Sequence, residues 1–325
     1  VEMNGRRETG HEWGTNPCSE IILRPYQFCN LTEVVVRQGD DLENLRRKVR
    51  LATILGTAQS TFTKMPYLRK IWQKNTEEEA LLGVSLTGIM DNYLLSKTED
   101  SKKWLKELKA QAIDVNRIYA DKLGVPASAA ITCVKPSGTV SQLTDTASGI
   151  HARHSKYYIR TVRGDNKDPL TQFMKDSGIP AEPCVMKPDS TTVFSFPTKS
   201  PSGAVTRNDM TALQQLELWK NYALHWCEHK PSVTITVKDA EWMAVGAWVY
   251  ENFDICSGIS FLPHSDHTYA QAPYQDIDEE TYNDLKKQMP TSIDWTALSN
   301  YEKVDTTSGS QTLACTAGAC ELVDI

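Results

Sequence analysis

Short runs of β-branched and apolar residues alternate with longer amphipathic segments along most of the chain, and this alternation limits the folds it can adopt. A repeated strand-then-helix pattern favours a largely parallel sheet or barrel with helices packed outside it. Active residues in such folds lie on loops beyond the strand ends. The strands are predicted at residues 20–23, 31–36, 83–87, 129–134, 157–162, 191–196, 232–237 and 258–262.

Three segments carry the apolar spacing of helices. Trp104, Leu108, Ala112, Val115 and Tyr119 recur at steps of three or four residues and define one helical face. The other two segments are 42–55, opened by acids at 40 and 41 that suit a helix N-terminus, and 213–226, preceded by an Asn-Asp pair at 208 and 209 that could cap it.

The length of 325 residues allows one large α/β domain or two ordinary ones, and the content of 40% hydrophobic and 23% charged residues is globular. A net charge of −6 gives no reason to expect a nucleic-acid-binding surface. The sequence shows no long apolar run and no signal pattern, so we expect no membrane insertion and no secretion. Eight sparse cysteines fit cytoplasmic thiols better than a disulfide framework.

One short motif places three reactive groups at alternate positions: the amide of Asn16, the thiol of Cys18 and the carboxylate of Glu20. In an extended backbone these side chains project to one face. Pro17 favours an exposed loop or strand end, because it biases Asn16 towards the extended region and removes a backbone donor. The three groups would then converge, as a reaction at a polyol substrate requires. Taken alone, such a triplet is more often a buried cysteine beside a surface carboxylate.

Further motifs follow along the chain. Residues 136–141, Pro-Ser-Gly-Thr-Val-Ser, come after an apolar strand and offer hydroxyls and backbone N–H groups, which suit either an anion nest or an ordinary turn. Residues 83–88 form a strand bounded by glycines, for which packing is the expected role and ligand contact the alternative. Cys315 and Cys320 lie in a small-residue tail, where a dithiol could exchange with a disulfide. A zinc site there would need two more ligands, and none is nearby.

The histidines allow more than one interpretation. His225 and His229 have the i, i+4 spacing of metal ligands, but without a third placed ligand a structural role is favoured. His151 and His154 flank Arg153 shortly after residues 136–141, and they are candidates for a substrate or cofactor pocket. We therefore predict no metal site.

Four features follow one another along the chain: the Asn16–Glu20 motif with Cys29, the glycine-bounded strand, residues 136–141 and the terminal cysteine pair. Together and in this order, they resemble the large subunit of ribonucleotide reductases. The resemblance is to the adenosylcobalamin-dependent (class II) enzymes, nearest to the monomeric ribonucleoside-triphosphate reductases, and it runs from Gly14 to Cys320. It implies a fold that is the second half of a ten-stranded α/β barrel. The implied domains are a catalytic half-barrel at 1–265, a helical segment at 266–303 and a flexible redox-shuttle tail at 304–325.

The resemblance also implies a role for each candidate residue. Cys18 would carry the thiyl radical, Glu20 would take the 3′-hydroxyl proton, and Asn16 would hydrogen-bond the ribose hydroxyls. Cys29 would be one member of the reducing pair, which the Cys315–Cys320 dithiol would re-reduce. The implied substrate-binding residues are Ser19, Pro136, Ser137, Gly138, Thr139 and Val140.

Adenosylcobalamin is the cofactor that the resemblance implies. The only adjacent tyrosines, Tyr157 and Tyr158, are misplaced for a radical imported from a second subunit, and no glycyl-radical motif is visible. The implied partners are a ribonucleotide, a thioredoxin-like reductant and an N-terminal half-reductase chain that supplies the sulfur for Cys29. The number of substrate phosphates stays open. The alternative is a non-catalytic subunit that completes a cobalamin or nucleotide pocket.

Overall fold

The computed structural model describes residues 5–264, 269–303, 313–316 and 319–322. The chain divides into two compact units. The first consists of Val1–Arg153 and Ser202–Pro263, and the second of His154–Pro201 and His264–Ile325.

The described strands and helices follow in chain order. The strands are β1 Gly14–Thr15, β2 Ile22–Leu23, β3 Asn30–Val35, β4 Leu82–Thr87, β5 Thr132–Cys133, β6 Tyr157–Asp165, β7 Ala181–Pro183, β8 Thr191–Lys199, β9 Val233–Val237, β10 Ile259–Pro263, β11 Tyr274–Asp276, β12 Leu313–Thr316 and β13 Ala319–Leu322. The α-helices are α1 Leu42–Gln59, α2 Lys70–Glu79, α3 Thr98–Leu123, α4 Val140–Leu143, α5 Pro169–Asp176, α6 Ala212–His225, α7 Trp242–Glu251 and α8 Glu279–Gln288.

The first unit is built on parallel strands. β3, β4 and β5 form one parallel sheet in that order, and β9 pairs with β10 in parallel. A single parallel bridge between Val134 and Pro231 joins the residue after β5 to the approach of β9. Helices lie between successive strands, as α/β alternation requires. The predicted α/β class is therefore confirmed, although no closed barrel forms within the described ranges.

The second unit has a different sheet. Its strands run in the order β11-β6-β8-β7, and every pair is antiparallel. The strands predicted at 157–162 and 191–196 exist as β6 and β8, but their expected place in a largely parallel sheet was wrong. A β-branched run predicts a strand without giving its direction, and the connection through α5 and β7 reverses the chain here.

The core of the first unit positions the strand ends that carry the candidate site. Trp219 and Tyr222 of α6 and Trp226, which directly follows the helix, are all fully buried. The Trp219 indole donates to the carbonyl of Pro231 at 2.8 Å, and the Trp226 indole donates to that of Cys133 at 2.8 Å. Since buried indole N–H groups need a partner, these two bonds fix α6 against the end of β5 and the start of β9.

The helix starts were predicted with mixed success. Asp41 caps α1, because its side chain accepts from the Asn44 N–H at 2.8 Å. The Asn-Asp pair at 208 and 209 does not cap α6. Thr211 does so instead, in a reciprocal pair of hydrogen bonds with Gln214, while Asp209 accepts from the Thr206 N–H at 2.8 Å.

Most of the predicted tail, residues 304–312, 317–318 and 323–325, lies outside the described residues. β12 and β13 pair antiparallel, and the backbone of Cys315 lies opposite that of Cys320. The domain limits at 265 and 303 stay predictions. In the described ranges, no helix is both long and apolar enough to cross a membrane.

Candidate active site

The segment that carries the candidate catalytic residues is a tight loop between the antiparallel strands β1 and β2. The Ser19 N–H donates to the carbonyl of Asn16 at 2.9 Å, and the Asn16 N–H donates to that of Ile21 at 3.2 Å. Ser19 adopts φ +61°, which is the left-handed region. The predicted loop is confirmed, but the extended geometry was wrong. A turn, and not strand alternation, brings the side chains together.

Glu20 lies at the centre of the site and is fully buried. Its Oε1 accepts from Asn16 Nδ2 at 2.7 Å and from Lys135 Nζ at 3.0 Å. Its Oε2 has no hydrogen-bond partner within the described part of the chain. The Asn16 amide is held in place because its Oδ1 accepts from the Ile21 N–H at 3.1 Å.

Cys18 is exposed, and its Sγ lies 3.9 Å from Lys135 Nζ. Lys135 therefore contacts both the thiol and the carboxylate, and sequence reasoning missed it. The available signal was its place directly before Pro136, at the end of a predicted strand. Burial would lower the pKa of Lys135, but the hydrogen bond and charge of Glu20 outweigh that effect and raise it, so the amine stays protonated.

Cys29 precedes β3 and lies close to the same cluster. Desolvation raises the pKa of its thiol, and the negative charge of Glu20 adds to the effect, while Arg7 opposes it. A Cβ on Gly83 would lie 2.3 Å from Leu31 Cδ2 and 3.4 Å from Cys29 Sγ. The glycine is therefore needed for close packing beside Cys29. Cys29 forms no disulfide with another cysteine of the described residues.

Residues 136–141 form a compact turn that leads into the single-turn helix α4. The Ser137 N–H donates to Ser148 Oγ at 2.9 Å, and the Ser141 N–H donates to Ser137 Oγ at 3.1 Å. These two groups are thus engaged within the protein. Gly138, Thr139 and Val140 are exposed and remain the part of the turn that a ligand can reach.

A buried ion pair holds the segment that contacts this turn through Ser148. Arg153 and Asp91 are 4% and 3% exposed, and the guanidinium binds both carboxylate oxygens at 2.9 Å. Asp91 also accepts from the Ala147 N–H at 2.9 Å. Gly149 has φ +54°, and a Cβ there would lie 2.6 Å from the carbonyl oxygen of Lys135. The segment at 145–149 is therefore packed tightly against Lys135, the residue before the turn.

His151 and His154 belong to different units of the chain. His151 is fixed by Ser148, whose carbonyl lies 3.1 Å from Nδ1, and by the Thr234 N–H, which donates to Nε2 at 3.0 Å. Burial lowers the pKa of His151, which fits a neutral ring with the proton on Nδ1. His154 belongs to the second unit, where Nε2 lies 3.0 Å from Asp276 Oδ1.

His229, one member of the i, i+4 histidine pair, is engaged with the protein backbone. His229 is buried, and its Nε2 lies 2.8 Å from the carbonyl of Leu82. Burial lowers the pKa of His229 to about 3. The adjacent Glu228 pairs with Arg6 at 2.6 Å. No group of three or more His, Cys, Asp or Glu side chains suited to a metal occurs in the described ranges.

The chain is similar in fold to solved ribonucleotide reductases. A solved B12-dependent (class II) ribonucleotide reductase matches with a TM-score of 0.78 and 25% identity over 93% of this chain and 45% of that one. The α subunit of a class Id ribonucleotide reductase from Actinobacillus ureae matches with a TM-score of 0.50 and 15% identity, over 78% of this chain and 53% of that one, and shows the fold alone. No family model matches the chain.

Curated relatives of the chain are named adenosylcobalamin-dependent ribonucleoside-triphosphate reductases. The adenosylcobalamin-dependent ribonucleoside-triphosphate reductase of Levilactobacillus brevis is 29% identical over 98% of this chain and 47% of its own length. That of Euglena gracilis is 28% identical over 90% and 40%. The probable enzyme of Dictyostelium discoideum is 28% identical over 88% and 38%. The predicted resemblance is confirmed, and the chain spans less than half the length of these relatives.

Proposed function

We propose that this chain is the C-terminal portion of an adenosylcobalamin-dependent ribonucleoside-triphosphate reductase, which converts ribonucleoside triphosphates to 2′-deoxyribonucleotides. The observation that carries the proposal is the cluster around Glu20. An exposed thiol, a buried carboxylate and an amide meet there. Radical chemistry on a ribose needs those groups together.

Cys18 would start the reaction on the substrate. Adenosylcobalamin, when bound, supplies a radical by homolysis of its cobalt–carbon bond. The exposed sulfur of Cys18 fits this source, since a group bound outside the protein core can reach it. The Cys18 thiol would give up its hydrogen atom to that radical, and the resulting thiyl radical would take the hydrogen atom from C3′ of the ribose.

Glu20 and Asn16 would bind the hydroxyl groups of the ribose. The buried Oε2 of Glu20 needs a donor, and the 3′-hydroxyl would supply one. The 3′ O–H proton would pass to the carboxylate, while the 2′-hydroxyl would take a proton from a thiol of the reducing pair and leave as water. Asn16 Nδ2 has two N–H donors, and the contact with Glu20 uses one of them. The second would bind a ribose hydroxyl.

The reduction consumes two electrons, which Cys29 and a second thiol would supply as they join in a disulfide. The raised pKa of Cys29 keeps it in the thiol form, able to give up hydrogen. We propose that the second sulfur comes from an N-terminal half-reductase chain. Cys315 and Cys320 would then exchange with the disulfide, and a thioredoxin-like reductant would restore their thiols.

Substrate phosphates would lie at the turn of residues 136–140. Its exposed residues, Gly138, Thr139 and Val140, begin three positions after Lys135 and are the part of the turn that an anion can reach. Ser19, whose Oγ is 3.5 Å from Thr15 Oγ1, would contact the substrate from the loop that carries Cys18. The names of the relatives favour a triphosphate.

We infer that the first unit is the second half of a ten-stranded barrel. Its parallel strands run β3-β4-β5 and β9-β10, connected by the Val134–Pro231 bridge. β3 and β10 are the outer strands of this arrangement, and they would pair with strands of the N-terminal half.

The proposal is tested in the complete reductase, meaning this chain together with the upstream residues that its relatives contain. Cys18→Ala should abolish nucleotide reduction, whereas the matched Cys256→Ala, a half-buried cysteine outside the cluster, should retain it. A non-catalytic subunit that only completes a pocket would keep its activity in both variants, and that result would refute the proposal.

A further inference from the structure

Lys135 connects the two reactive groups of the site, and the roles implied by the resemblance leave it without a function. It lies two residues after β5, and its backbone N–H donates to Ser85 Oγ at 2.8 Å on the neighbouring strand β4. The backbone of the lysine is therefore fixed by the sheet. Its side chain is about one-third exposed and ends 3.0 Å from Glu20 Oε1 and 3.9 Å from Cys18 Sγ.

The hydrogen bonds to Glu20 are strongly asymmetric. Oε1 accepts from both Lys135 and Asn16, while Oε2 is buried and lacks a partner among the described residues. A buried carboxylate oxygen without a donor is unfavourable unless a ligand supplies one. Two donors on one oxygen also fix the rotation of the carboxylate plane, so the position of the second oxygen is set before any ligand binds.

We propose that Lys135 is a positioning residue of the reaction: it holds Glu20 by Oε1 and thereby presents Oε2 to the hydroxyl of a ribose substrate. This inference rests on the proposed function. In the step itself, the substrate O–H bond breaks and a new O–H bond forms at Oε2. Lys135 stays protonated throughout and transfers nothing.

The other charged and titratable groups around Glu20 do not replace Lys135. Lys230 interacts with Glu20 through its charge, but burial lowers the pKa of Lys230 and its hydrogen bond to Glu20 is made by the backbone N–H, at 3.0 Å to the Glu20 carbonyl. Cys29 and Cys133 both have raised pKa values because of burial, and so remain neutral. Lys135 is the cation that hydrogen-bonds the carboxylate.

The first test uses Lys135→Met in the complete reductase. We expect kcat to fall about 10–100-fold, since displacing a reacting group by about 1 Å has this effect, while KM changes little. Lys135→Arg should recover part of the rate, and added alkylammonium ions should partly rescue Lys135→Met. The matched control is Lys220→Met, which removes a lysine that bonds Asn252 in the same unit and should leave the rate unchanged.

The outcomes separate this inference from the proposed function. If the wild-type reductase is inactive and forms no cysteine radical, the proposed function fails. If the wild type is active and Lys135→Met has the same kcat, or loses activity that neither arginine nor alkylammonium ions restore, the positioning role of Lys135 is refuted while the proposed function stands.

A second test needs no activity and uses the chain itself. Lys135 Nζ is positively charged and lies 3.9 Å from Cys18 Sγ, so Lys135→Met should slow the alkylation of Cys18 by iodoacetamide, by about fivefold for a charge interaction at this distance in water. Glu20→Gln removes the opposing negative charge and should accelerate it. Peptide mapping assigns the label to Cys18. Equal alkylation rates in wild type and Lys135→Met would contradict the contact on which the inference depends.

Discussion

Replacing Asp91 by alanine removes one partner of the buried ion pair that supports the segment behind the proposed phosphate turn. Arg153 would keep its charge while losing both 2.9 Å contacts to Asp91, and the Ala147 N–H would lose its acceptor. Asp145, which is largely exposed, also contacts Arg153 at 3.0 Å and would compensate for only part of the loss.

The expected magnitude follows from the burial of both partners. Removing one member of a buried pair strands an uncompensated charge and typically destabilises a protein by about 3–5 kcal/mol. The remaining contact with Asp145 places the expectation at the lower end of this range. An exposed pair behaves differently: Arg117 and Asp114, which are 70% and 66% exposed and 3.4 Å apart, should contribute less than about 1 kcal/mol.

Urea unfolding of the chain measures the difference, followed by tryptophan fluorescence, since every tryptophan except Trp295 lies in the first unit. Asp91→Ala should lower the free energy of unfolding of that unit by about 3 kcal/mol, and Asp114→Ala by less than about 1 kcal/mol. Equal losses in the two variants would refute the reasoning that burial makes this pair structurally important.

Three further predictions concern stability. Gly83→Ala should destabilise the first unit by about 1–3 kcal/mol, because the new Cβ overlaps Leu31; an unchanged urea midpoint would contradict the packing. Thr211→Ala removes the capping hydrogen bond of α6 and should lower the free energy of unfolding by about 0.5–2 kcal/mol, measured in the same way. Thr211→Ser keeps a hydroxyl and should lower it by less. Burial lowers the pKa of His229 to about 3. The stability that the neutral His229 ring contributes is therefore fully present above about pH 6.5 and is lost as the pH falls towards 3. Wild type should therefore lose stability at about 1.4 kcal/mol per pH unit in that range, and more steeply than His229→Gln; parallel pH profiles would refute this.

Much of the fold could be predicted because it depends on local side-chain patterns. All eight predicted strands exist, and the apolar face of α3 is buried at Leu108, Ala112 and Val115. Strand direction could not be predicted, because the alternation of apolar and polar residues indicates which side chains are buried and does not indicate whether the next strand runs parallel or antiparallel. The antiparallel sheet of the second unit was missed for this reason.

The candidate site was predicted from residue types, and its geometry was not. Asn16 and Glu20 meet, but through a turn with Ser19 in the left-handed region, which no apolar pattern reports. Lys135 was missed because its role depends on a contact between residues 115 positions apart. Arg153 and Asp91 pair across 62 positions, and only the folded chain brings them together.

Rapid freeze-quench EPR tests the central claim most directly, namely that Cys18 carries the radical. The complete reductase is mixed with adenosylcobalamin, a ribonucleoside triphosphate and a dithiol. We predict a cobalt(II) signal coupled to a thiyl radical, which is retained in Cys256→Ala and absent in Cys18→Ala. The same coupled signal in Cys18→Ala would show that another group carries the radical and would contradict the account.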